Sequence, residues 1–286
     1  MHLLTLNRDG MRCDIAPALG GAIAGLWFEG IPVLRPPPDA GLFHVREAGS
    51  YPLLPFSNRI GRAQMEWVGV SHALLPNFAP EPHAIHGVGW QRPWSVAAQH
   101  ADGVQLTLRH PGDSGWPFAF EAVQTLRLAA QGLALELVLT NRALHAVPAG
   151  LGWHPYFAKR AGSRITFSAA GRWEMGPDKL PTRRLPVSGI QDECAALDVD
   201  HCFDGWSGSV ELHDTLLRTR LSADLGHLVV FTHPSSDFVA IEPVSHVNNA
   251  LNLAPMLGCD VRALGVQVLP PGQSMAAHLR IAVQPA

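Results

Sequence analysis

Val104-Gln105-Leu106-Thr107-Leu108 alternates apolar and polar residues, and this period of two decides the fold. Successive side chains of an extended strand point to opposite faces, so the alternation sets one face on a core and the other on water. The same pattern extends outward along the chain. Glu121 to Leu128 and Leu133 to Thr140 read as two further strands, joined by Ala129-Ala130-Gln131-Gly132, a hairpin loop in which Gly132 can adopt positive φ. Leu3 to Leu6 and Met11 to Ile15 flank a second hairpin signal, Asn7-Arg8-Asp9-Gly10. Val229 to Thr232 and Phe238 to Ile241 flank Pro234-Ser235-Ser236-Asp237, and Gly265 to Leu269 and Ser274 to Val283 flank Pro270-Pro271-Gly272-Gln273. No long segment carries a helical period; a short helix is expected only around Asp192 to Leu197. With 27 glycines and 24 prolines as punctuation, many short strands argue for an all-β sandwich or barrel. There is no linker, repeat or low-complexity tract, so residues 1–286 are expected to form a single domain.

Composition narrows the function. The chain is 47% hydrophobic and 16% charged, enough apolar material for a large core. Its formal charge is −3 with no basic run, which disfavours nucleic acid and acidic membranes as partners. Four scattered cysteines, Cys13, Cys194, Cys202 and Cys259, form no Cys-x-x-Cys pair, so neither structural zinc nor a disulfide framework is expected. Free thiols suit a reducing compartment. The N-terminus lacks the basic and small-residue features of a signal peptide, and no apolar run is long enough to span a bilayer. A cytoplasmic protein, monomeric or homodimeric through a sheet edge, is the expectation.

Several polar or Gly/Pro-rich segments do not read as strands: Pro52 to Arg62, Pro76 to Trp94, Gly150 to Arg160, Leu197 to Trp206 and Glu242 to Leu253. Loops on a rigid sheet are where chemistry usually sits. In Gly152-Trp153-His154-Pro155-Tyr156-Phe157 the proline holds His154 extended. Glu242 directly follows the apolar run Phe238 to Ile241. Histidine and glutamate are the commonest general acids and bases at neutral pH. Yet one histidine among 15, or one glutamate at a strand end, is more often structural or solvated than catalytic.

Five segments together resemble the aldose 1-epimerase family. They are Pro55-Phe56-Ser57-Asn58-Arg59-Ile60-Gly61, Ile85-His86-Gly87-Val88-Gly89, the His154 segment, Val199-Asp200-His201-Cys202-Phe203, and Ile241-Glu242-Pro243 with Asn248-Asn249-Ala250-Leu251-Asn252. Each is weak alone, but all five occur in the family's order and span most of the chain. The resemblance implies a galactose-mutarotase-like β-supersandwich and an isomerase that interconverts the α and β anomers of a free aldose. It implies Glu242 as general base at the anomeric hydroxyl and His154 as general acid at the ring oxygen. It implies Arg59, His86 and Asp200 as ligands of sugar hydroxyls, with no metal or organic cofactor. Val88 stands where the family often has a second glycine. Pro243 to His246 and Asn248-Asn249 also depart from its common pattern, resembling a less characterised bacterial branch.

Three other readings compete. A sugar-phosphate substrate needs extra cations, for which Arg35, Arg46 or Arg92 are candidates. A non-catalytic sugar-binding protein on the same fold needs no acid–base pair. A metal-dependent β-sandwich enzyme would use His83, His86 and a carboxylate, although residues three apart on a strand point to opposite faces. His83 is expected at the rim or surface, and His246 in the pocket or on a solvated loop. Asp204 and Arg62 are weaker rivals of Asp200 and Arg59. Of the tryptophans, Trp153 and Trp206 are nearest the motifs and are the candidates for a sugar platform.

Overall fold

A computed structural model describes residues 2–286. The all-β expectation holds. A nine-stranded sheet runs in the order Ser95–Gln99, Gly103–His110, Phe120–Ala129, Gly132–Asn141, Ser274–Pro285, Leu217–Ala223, Ser209–His213, Arg164–Phe167 and Ile190–Glu193. An eight-stranded sheet contains, in order, Pro181–Pro186, Gly171–Met175, Val199–Asp204, His227–Thr232, Phe238–Val244, Gly152–Trp153 and Pro52–Leu53, with Tyr156–Ala158 also pairing Phe238–Val244. A four-stranded meander, Leu4 to Pro32, precedes them.

Alternation does its expected work in the large sheet. Phe120–Ala129 is buried at every second residue, and Val104, Leu106 and Leu108 all face the core. The hairpin that follows is tighter than expected, since Ala129 pairs with Gly132. Gly132 serves a further purpose there. A Cβ on it would sit 2.1 Å from the Ile281 carbonyl oxygen, so the C-terminal strand can approach only a glycine.

Other expectations need correction. Gly265 to Leu269 and Ser274 to Val283 do not form a hairpin: Gln267–Leu269 pairs with Val147–Ala149, whereas Ser274–Pro285 inserts between Gly132–Asn141 and Leu217–Ala223. The segment Asp192 to Leu197 holds only a 3-10 turn at Cys194–Ala196. Among the described residues the one α-helix is Ala250–Leu257, which begins inside the Glu242 to Leu253 segment read as loop. Its eight residues are too short for periodicity to register. Glu242 and Asp200, also placed in loops, lie within the strands Phe238–Val244 and Val199–Asp204. The polar residues that broke the apolar pattern there are the ones facing a pocket.

Candidate active site

The register of the eight-stranded sheet assembles the site. Gly152 pairs with Val244, and Tyr156 with Ala240. Continuing that register across Pro155, which has no N–H to donate to the ladder, places His154 directly opposite Glu242. Opposed residues of neighbouring strands project from the same face. On the other side, Glu242 pairs with Val229 and Val229 with Cys202, while Ala240 pairs with Phe231 and Phe231 with Asp200. Two rows, offset by two residues, therefore share one face of the sheet: Cys202, Val229, Glu242 and His154, then Asp200, Phe231, Ala240 and Tyr156.

That face floors a pocket of about 410 Å³, lined by His154, Glu242, Asp200, Tyr156, Phe231 and Phe238. The walls come from earlier in the chain: Arg35, Arg46, Tyr51, Arg59, Glu81 and His86 are among them. All five residues singled out from the sequence, Glu242, His154, Arg59, His86 and Asp200, line this one pocket. A larger open groove of about 710 Å³ lies over the nine-stranded sheet. Its histidine, His278, is half-exposed and already matched by Asp224 and Glu136, which makes the groove a poor place to shift reactivity.

His154 Nε2 lies 3.2 Å from Glu242 Oε1. Both residues are buried, and Glu242 is only 3% exposed. Burial raises the Glu242 carboxyl well above its ordinary range; nearby Asp200 adds to this, and Arg59 opposes it. Burial likewise lowers His154, to about 3, with the positive Arg35 adding to the effect. Glu242 Oε2 and His154 Nδ1 are buried with no hydrogen-bond partner, so neither charge is solvated on its far side. The 3.2 Å contact opposes both shifts, because each charge would favour the other. The direction that stands is that the pair resists any net charge. Protonation states typical of free side chains do not carry over to this site.

The supporting shell is rigid. Tyr51 and Tyr156 share a hydroxyl–hydroxyl hydrogen bond of 3.0 Å, and their rings lie 4.9 and 4.4 Å from the His154 ring. The His154 amide donates to the Tyr51 carbonyl. Arg59 is clamped by Glu81 through two hydrogen bonds of 2.7 and 2.9 Å, and its Nη1 also reaches Asn58 Oδ1. Asn249 holds the same segment from behind: its amide donates to the Arg59 carbonyl, and its side chain accepts from the Gly61 amide.

Backbone conformation places His86. Asn58, His86 and Gly87 have φ of 53°, 60° and 68°, and the Asn58 amide donates to His86 Nδ1. A Cβ at Gly87 would lie 2.1 Å from the Leu54 carbonyl oxygen, so glycine is required there. Val88, where a second glycine was noted as usual, has an ordinary negative φ and is buried.

Metal binding can be judged from the donors. One ligand atom each from His86, His154 and Glu242 lies within 4.8 Å of the others. However, His86 Nδ1 accepts a backbone proton, so a neutral ring carries its own proton on Nε2. Neither nitrogen then offers a free lone pair, leaving fewer ligands than a stable site needs. His83 is no ligand either. Its ring nitrogens engage the Arg62 amide and the Asp178 carbonyl, and it is buried rather than at the rim.

The remaining expectations resolve in the same way. His246 is neither pocket-lining nor solvated; it is buried, bonded to the Ser57 amide and the Val247 carbonyl, and lowered to about 4 by burial. No tryptophan lines the pocket. Trp153 follows Gly152 and precedes His154, so it points to the opposite face, where its indole donates to Gln124. Trp206 caps its own turn at Ser209. Phe78, Phe231 and Phe238 supply the apolar lining instead. Asp204 is tied to Arg184 and Trp173, and Arg92 to Asp113, away from the pocket. Tyr156 and Phe238 were legible in principle: they stand two and four residues from His154 and Glu242, on the same strand faces. Nothing in the sequence pointed to Glu81.

The family model for aldose 1-epimerase matches residues 2–282. The uncharacterized protein YphB of Escherichia coli (strain K12) is 27% identical over 302 residues, covering 99% of each chain. The uncharacterized protein YihR of the same organism is 28% identical over 254 residues, covering 82% of this chain and 81% of that one. A galactose mutarotase-like protein from Clostridium acetobutylicum has a crystal structure that superposes with a TM-score of 0.88 at 18% identity. The superposition covers 99% of this chain and 95% of that one.

Proposed function

The chain belongs to the aldose 1-epimerase family, and from that premise we propose that it interconverts the α and β anomers of an aldose by acid–base ring opening at Glu242 and His154. The observation that carries the reading is the cross-strand pair itself, a carboxylate and an imidazole 3.2 Å apart on the floor of a sugar-sized pocket.

Ring opening removes a proton from the anomeric hydroxyl and delivers one to the ring oxygen. Glu242 takes the first and His154 gives the second. The aldehyde turns about its C1–C2 bond and recloses on either face, with the two roles reversed. The starting state holds one proton on the pair, and so does the uncharged state that burial favours. The two differ only in where that proton sits. The anomeric hydroxyl, donating to Glu242, stabilises the carboxylate form as it enters. Each well-placed acid or base contributes about 10²–10⁴-fold.

Arg59, fixed by Glu81, presents donors to sugar hydroxyls, as does His86 Nε2–H; Asp200 accepts from them. The C–H faces of the ring pack on the phenylalanine lining. One domain spanning residues 1–286 is the unit proposed to carry this activity, supported by the position of the C-terminal strand inside the largest sheet.

Polarimetry tests the reading. Freshly dissolved α-glucose or α-galactose should relax to equilibrium faster with the protein than with buffer. Glu242→Gln and His154→Asn should each remove most of that gain while circular dichroism stays unchanged. Full activity of both variants across a panel of aldoses would sink the assignment.

A further inference from the structure

The pocket carries cations that the acid–base chemistry does not use. Arg35 and Arg46 both line it, and neither forms an ion pair with any acid among the described residues. The acids nearby are already committed. Glu81 clamps Arg59 and touches Lys179. Glu47 accepts from the backbone amides of Phe43 and His44. Asp200 and Glu242 lie on the sheet face at the floor.

The two arginines are also held in place. The Arg35 guanidinium stacks 4.1 Å over the Tyr156 ring and 5.0 Å from Phe238, while its Nη2 donates to the carbonyls of Arg46 and Ala48. Its Nε has no partner. Arg46 lies 4.3 Å over Phe78 on the exposed rim, and no side-chain hydrogen bond engages its guanidinium. Two aromatic-braced guanidinium groups lining one pocket, with N–H groups unspent and neither in an ion pair, form an anion receptor.

We propose that these two arginines form an anion subsite, and that the sugar this pocket takes carries a phosphate or carboxylate on its C5 side. The placement follows from connectivity and rests on the acid–base reading above. His154 serves the ring oxygen, which is bonded to C5 as well as C1. The substituent at C5 therefore leaves the ring on the His154 side. Tyr156 packs on His154, and Arg35 lies on Tyr156, so the cationic stack continues from the ring oxygen toward that substituent. Arg92, paired with Asp113 outside the pocket, has no part in the subsite.

Calorimetric titration of the whole chain with glucose, glucose 6-phosphate and glucuronate, alongside polarimetric rates for each, tests this. The expected result is that glucose 6-phosphate, glucuronate or both bind about tenfold or more tightly than glucose, the worth of one charge-assisted hydrogen-bond pair. Whichever of the two binds more tightly identifies the anion as phosphate or carboxylate. The preference should shrink as salt is raised, collapse toward unity in Arg46→Ala, and largely survive in Arg46→Lys. Arg46 is exposed, so these variants should fold. Equal binding of all three sugars, or a preference indifferent to Arg46→Ala, overturns the subsite. The two readings fail separately: rapid mutarotation of glucose with no anion preference removes only the subsite. An Arg46-dependent anion preference without mutarotation of any sugar removes only the acid–base roles.

Discussion

Glu242 and His154 are each unremarkable residue types in an unusual place. Both are buried apart from the faces they turn to the pocket, and the pair resists becoming net positive or net negative. Two consequences can be measured. First, the proposed acid–base reaction requires one proton on the pair. The doubly protonated state is suppressed because burial and Arg35 hold His154 down, to about 3. The fully deprotonated state is suppressed because burial raises Glu242. The pH–rate profile, which reports apparent values of the pair rather than of either residue, should thus be a plateau broader than the interval between the ordinary values of 4.5 and 6.5. A narrow bell confined to that interval would contradict the geometry.

Second, the buried carboxyl should cost stability. Its folded value is raised above the unfolded 4.5, so the unfolded chain releases the proton first, and rising pH favours unfolding. Glu242→Gln removes that titration. Thermal melts should show the variant close to the parent below about pH 4.5 and progressively more stable above it, the usual trade of stability against function. A difference that is flat with pH would mean the carboxyl is not desolvated.

At the scale of elements, short strands and turns aim the wall residues. The His86 turn depends on Gly87, whose φ of 68° and close approach to the Leu54 carbonyl leave no room for a side chain. Gly87→Ala should destabilise the fold by about 1–3 kcal/mol and reduce sugar binding, read by denaturant titration and KM. Asn249 ties the strand Arg59–Ile60 to the N-terminus of the helix Ala250–Leu257. Asn249→Ala loses that bond at a left-handed position and should cost about 1–3 kcal/mol, with a rise in KM exceeding the fall in kcat. These elements were only partly legible. The motif residues stood out, but two-residue strands and an eight-residue helix are shorter than the window in which a period can be recognised. Glu242 and Asp200 were read as loop residues because a charge interrupts the apolar pattern. The interruption in fact marks the point where a strand face meets a cleft instead of a core.

Across the whole molecule, the last strand is the keystone of the largest sheet. Ser274–Pro285 pairs along most of its length with both Gly132–Asn141 and Leu217–Ala223, burying Met275, Ala277, Leu279, Ile281 and Val283. A chain ending at Gln273 would expose two interior strand edges and that apolar row. It should fail to fold cooperatively, which loss of a sigmoidal melt would reveal. A variant chain that still melted in one sharp step would show that the two halves of the sheet close without it.

The sequence by itself determined the all-β class and the faces of the long strands, and its resemblance to a family pointed to five residues that line the pocket. Period-two alternation and short motifs are local properties, and local sterics enforce them wherever the chain goes. Only the tertiary structure decided that Glu242 stands opposite His154. It also decided that Trp153 faces away while phenylalanines line the pocket, that burial shifts both titrating groups, and that Arg35 and Arg46 line the pocket while Arg92 does not. Each of these depends on strand register and solvent exclusion. Both are set by contacts between segments far apart in the chain, to which no local pattern is sensitive.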